Sequence, residues 1–77
     1  MKRYFIAHIG TIYDGFEFND HYTFERYIPL GKRLTDKEVE KDAIKYYVRE
    51  GTGEELTYVE HKEIPKADYD VLRKYHI

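Results

Sequence analysis

Seventy-seven residues, a net charge of −2, 36% charged side chains and no cysteine set the outer limits of this chain. The length suits one domain, residues 1–77, of a size that buries only about 60% of the surface its unfolded chain would expose. Lack of cysteine excludes a disulfide framework or a thiolate metal site, and interspersed charge signs give neither a strongly basic nucleic-acid footprint nor the dense acid of a nucleic-acid mimic.

The chain begins MKRYFIAHIG, whose apolar run is short, aromatic and interrupted by His8, unlike a signal peptide. No run approaches the roughly 20 apolar residues that span a bilayer, so a cytoplasmic location with no membrane partner is expected. From Arg3 to Leu30 stand two runs of β-formers, RYFIAHIGTIY and FEFNDHYTFERYIPL, joined by Asp14-Gly15. A two-residue Asp-Gly link favours a type I′ turn, because Gly15 adopts positive φ freely and Asp14 tolerates it. That turn pairs Phe5 with Phe24, Ala7 with Tyr22, Thr11 with Phe18 and Tyr13 with Phe16, making one largely aromatic face that is expected to be the core. The other face pairs Tyr4 with Glu25, Ile6 with Thr23, His8 with His21 and Ile12 with Glu17, and should be half wet.

The first strand, about Lys2 to Tyr13, is apolar on both faces, which suggests a central position. The second, about Phe16 to Ile28, alternates with Phe18, Tyr22 and Phe24 inward, and reads as an edge or near-edge strand. Asp20 falls on its apolar face opposite Ile9, where a bulge near Asn19-Asp20 would re-aim it. Pro29 and Gly31 end this strand.

Thr35 with Glu38 forms a capping box, and Leu34 with Val39 a hydrophobic staple. From Asp36 to about Glu50, Val39, Ala43, Tyr46 and Tyr47 share one stripe that Ile44 and Val48 widen, as in a helix lying on a sheet. Gly51 is expected at the C′ position, followed by a loop flexible by composition. A third, densely charged strand over Glu55 to Ile64 suits an edge. Pro65 opens a short helix, about Lys66 to Tyr75. A right-handed crossover then sets the third strand parallel to the second, on the far side of the first. The fold expected is α+β: a three-stranded sheet, ββαβ in order 2-1-3, with one helix packed on one face and a short C-terminal helix.

Chemistry-bearing patterns are weak. His8 and His21 face each other and, with Glu17 or Glu25, could form a two-histidine, one-carboxylate metal site. The plainer reading is a cross-strand histidine pair on the surface, and no metal is expected. His61 and His76 look isolated. Asp14, Glu17 and Asp20 cluster at the hairpin tip, where turn chemistry and a solvated face explain them better than acid-base catalysis. Lys32-Arg33 and Arg73-Lys74 are short basic pairs without a sustained basic surface. Gly51-Thr52-Gly53 lacks the lysine and the strand-before-helix setting of a phosphate loop. Serine is absent along with cysteine, removing the commonest nucleophiles, so no enzyme activity and no cofactor are expected.

The remaining signal is aromatic surplus. Nine tyrosines and four phenylalanines exceed what a small core encloses, so several tyrosines from among Tyr4, Tyr13, Tyr27, Tyr47, Tyr58 and Tyr75 are expected to be partly exposed. Clustered, they would form a protein-binding surface; scattered, they would be fold-stabilising filler.

In layout, MKRYFIAHIGTIYDGFEF, the capped helix TDKEVEKDAIKYYVR and the closing IPKADYDVLRKYHI resemble small single-domain proteins of bacteriophages and mobile elements, including anti-CRISPR and other host-takeover inhibitors. Such proteins share no sequence motif, and no site residue transfers. The resemblance implies a stoichiometric blocker that binds a host protein or ribonucleoprotein and occludes a functional surface. Two alternatives stand beside it: a nucleic-acid-binding module stacking bases on sheet aromatics, and a self-associating structural protein that forms a homodimer through a strand edge.

Overall fold

The computed structural model describes residues 1–48, 51 and 53–76. In chain order they form β1 (Lys2–Tyr13), β2 (Phe16–Tyr27), α1 (Asp36–Tyr47), β3 (Glu55–Ile64) and α2 (Lys66–Lys74). Asp14 and Gly15 both have positive φ, 52° and 80°, the signature of the type I′ turn expected of Asp-Gly. Every partner pair that this turn implies is present, from Tyr13 with Phe16 to Lys2 with Tyr27. The Ile28 N–H donates to the Met1 carbonyl at 3.0 Å and extends the pairing by one more step.

The sheet order is β2-β1-β3, and β1 is antiparallel to both neighbours, so the two edge strands are parallel to each other. Alternation along β1 divides the sheet into two faces. Phe5, Ala7 and Ile9 lie on one face and are almost fully buried with Val39 and Ala43 of α1. The Phe5 and Phe24 rings stack at 5.3 Å, and Tyr22 meets Tyr47 of α1 at 5.2 Å. The α2 helix lies over the other face, with Tyr69 4.8 Å from Tyr4 and Val71 and Leu72 beside Ile6 and Ile64.

The start of α1 has a local cause. The Glu38 N–H donates to Thr35 Oγ1 at 3.3 Å, and the Thr35 N–H donates back to a Glu38 carboxylate oxygen at 3.3 Å, closing the capping box. The helix ends at Tyr47 with Val48 extended, so Gly51 is not its C′ residue. Arg49 and Glu50, into which the expected helix ran, and Thr52 of the following loop lie outside the described residues.

Two further expectations, about the sheet and α1, need correction. The β1–β2 register runs unbroken through Asn19 and Asp20, so no bulge lies there. The register shift falls instead on the other side of β1, where Gly10 pairs with Tyr58 and Thr11 with Leu56, leaving Thr57 as the extra residue of β3. Asp20 is accommodated without a bulge because it is exposed and its carboxylate accepts the His21 backbone N–H at 2.8 Å. Tyr46, expected in the apolar stripe, is 73% exposed, because burial on this helix is confined to Val39 and Ala43, with Tyr47 half-buried.

His61 is not isolated. Its Nδ1 meets the Asp36 carboxylate, and its Nε2 lies 3.0 Å from the Leu34 carbonyl, so β3 holds the start of α1. On β2, Arg26 reaches across to Asp42 of α1 while its guanidinium lies 5.5 Å from the Phe24 ring centroid.

Candidate aromatic docking face

The aromatic face of the hairpin is longer than the helix that covers it. A strand rises about 3.3 Å per residue and a helix 1.5 Å, so twelve-residue strands run roughly 40 Å where the equally long α1 spans roughly 18 Å. The long axis of the molecule is 40 Å. Near β1 residues 5–9 the face is roofed. At the turn end it is bare: Phe16 is 67% exposed, Phe18 54% and Tyr13 46%. Phe18, expected inward, is therefore on the correct face but beyond the cover.

Cross-strand pairing makes this bare area contiguous. Tyr13 is opposite Phe16, and Phe18 is in a row with Thr11 and Leu56. On the reverse face the row Glu17, Ile12, Glu55 crosses the sheet. Beside it, the Tyr58 ring lies over Gly10, and its hydroxyl donates to Asn19 Oδ1 at 2.9 Å. A Cβ on residue 10 would fall 2.2 Å from Tyr58 Cε1, so glycine is required here for the ring to cross the central strand.

The six tyrosines singled out from the sequence do not form one patch. Tyr13 and Tyr58 stand at the turn end, on opposite faces. Tyr4 and Tyr47 are half-buried against Tyr69 and Tyr22. Burial, reinforced by Tyr22's neighbour Tyr47 and by Asp20 near Tyr47, pushes both the Tyr22 and Tyr47 phenols above their ordinary value. Tyr27 is exposed at the opposite end of the hairpin, its ring 5.7 Å from the Lys2 ammonium, and exposed Tyr75 follows α2. The residues that sequence reasoning missed as surface are Phe16 and Phe18. Their signal was available in the ratio of strand length to helix length.

Two other sites are weaker. His8 and His21 face each other with ring centroids 5.9 Å apart, and the register adds Glu60 of β3 to their row. No three acidic or histidine side chains among the described residues are grouped so as to hold a metal ion. A groove of about 480 Å³ lies where α1 begins, lined by Arg3, Phe5, Arg33, Asp36, His61 and Glu63 among others. Its polar groups face each other: Arg3 makes a two-point contact with Glu63, at 2.7 and 2.5 Å, and also donates to the Lys32 carbonyl. With His61 on Asp36, Arg33 is the lining cation whose side chain has no partner among the described residues.

No helix among the described residues is long and apolar enough to cross a membrane. No family model matches this chain, and neither a curated protein nor a solved structure does.

Proposed function

We propose that this chain is a non-catalytic protein-binding module that acts by covering a surface of its partner, the behaviour of a small inhibitor of a host protein or ribonucleoprotein. The observation that carries this reading is the contiguous exposed group Tyr13, Phe16 and Phe18, on an ordered sheet that its own helix leaves uncovered. Aromatic side chains on rigid backbone offer large contact area at low entropic cost, as protein interfaces require. The groove where α1 begins has most of its polar groups paired internally, which favours docking over catalysis there.

Two exposed phenylalanines cost little to remove, so the test is direct. Wild type and Phe16→Ser/Phe18→Ser serve side by side as bait in bacterial lysate. A protein retained by wild type and lost from the variant supports the reading. Identical retained sets overturn it.

A further inference from the structure

We infer that the partner surface received by the hairpin end is cationic, rich in arginine or lysine. This rests on the reading of that end as a docking face and adds the chemistry of what docks.

Charge is segregated along the molecule. From Tyr4 to Glu25 the chain contains no lysine or arginine, and none occurs from Gly51 to His61. The turn half of the sheet is built from these two segments, and its exposed ionisable side chains include Asp14, Glu17, Asp20, Glu55 and Glu60. Five ion pairs lie elsewhere: Lys2 with Glu25, Arg3 with Glu63, Arg26 with Asp42, His61 with Asp36 and Lys66 with Asp70. Asp36, Asp42 and Asp70 of the helices thus have ion partners, and Glu38, Glu40 and Asp68 at least share their helices with lysines, whereas Asp14, Glu17, Asp20 and Glu55 form no ion pair among the described residues and stand in segments without lysine or arginine.

Aromatic rings and unpaired carboxylates on one end complement one kind of side chain. The face of Phe16 or Phe18 attracts a guanidinium or ammonium through its ring quadrupole, and Arg stacks its plane there while its fork reaches a carboxylate. Asp14 lies in the turn that leads into Phe16, and Asp20 lies next along the ring face from Phe18, while Glu17 and Glu55 add negative charge on the reverse face of the same end. Charge complementarity of this kind steers encounter and excludes wrong partners. Nucleic acid is a wrong partner: stacking on these rings would bring phosphates against the same carboxylates.

The experiment is a ¹⁵N amide titration of the full chain with an Arg-Gly repeat peptide, a Glu-Gly repeat peptide of equal length and an oligothymidylate. Only the Arg-Gly peptide should shift amides, and the shifts should centre on Tyr13–His21 and Glu55–Tyr58. Its affinity should fall about tenfold or more between roughly 20 and 200 mM salt. Phe16→Ser/Phe18→Ser, which leaves the charge intact, and Asp14→Asn/Asp20→Asn, which leaves the rings and turn intact, should each weaken it at least about fivefold. No shift with the Arg-Gly peptide, equal shifts with the Glu-Gly peptide, binding of the oligothymidylate at the turn end, or binding that survives either double variant overturns the inference. The lysate experiment separates the two levels. A protein lost from the serine variant but kept by Asp14→Asn/Asp20→Asn leaves the docking face standing and removes its cationic partner.

Discussion

The Tyr58 hydroxyl donates to Asn19 Oδ1 at 2.9 Å, joining the two edge strands across the central one. It reaches there only because residue 10 is glycine. A methyl group at this position meets the ring at 2.2 to 2.4 Å and Thr57 Oγ1 at 2.6 Å. Gly10→Ala should therefore cost about 1–3 kcal/mol in urea unfolding, as overpacking does. In a Tyr58→Ala background the same change should cost clearly less, and additive costs would show that the ring is not the obstacle.

Aromatic side chains on one face of the hairpin should divide sharply by position. Phe5 is 2% exposed, and Phe5→Ala should lose about 3–5 kcal/mol. Phe16→Ser/Phe18→Ser should change stability by no more than about 0.5 kcal/mol per site, because these rings contact solvent instead of α1. Comparable losses at both ends would mean that the turn end is covered.

The start of α1 should depend on one hydroxyl. Thr35→Ala removes the acceptor for the Glu38 N–H and should cost about 1 kcal/mol, while Thr35→Ser should retain most of the stability. Thermal unfolding of the two variants checks this.

On the acid side, the hydrogen bond from Arg3 holds the Glu63 carboxyl below its ordinary 4.5. A lowered value in the folded state means that the stabilisation is present above pH 4.5 and is lost as pH falls through the folded value. Both side chains are well open to water, at 30% and 45%, so screening keeps the effect small. Glu63→Gln should be less stable than wild type at neutral pH, and the gap should close below pH 4.5.

On the alkaline side, burial raises the Tyr22 and Tyr47 phenols above 10.0. A raised value means that stability is intact below pH 10.0 and is lost as pH climbs through the folded values. Phenolate absorbance should show a late component that coincides with unfolding. Tyr22→Phe/Tyr47→Phe should remove that component, and an unchanged late phase would assign it to other tyrosines.

Much of this architecture is local in origin and so was legible in the residues themselves. Asp14-Gly15 sets a turn, the turn sets the register, and the register decides which side chains share a face. Thr35 and Glu38 likewise define where α1 begins. Two-sided apolarity in β1 placed it centrally between a cleanly alternating strand and a charged one. None of these needs knowledge of distant contacts. What only the tertiary structure decided is how far cover extends along a face. Whether Phe18 is core or surface depends on where α1 lies, whether Asp20 needs a bulge depends on its exposure, and whether His61 is isolated depends on a loop some 27 residues away. Gly10 is the plainest case, since its reason is a ring delivered by the third strand to a position that pairing with the second leaves unexplained. Alternation assigns a side chain to a face, but burial is a property of what is packed on that face, and a helix advancing less than half as far per residue as a strand cannot cover all of it.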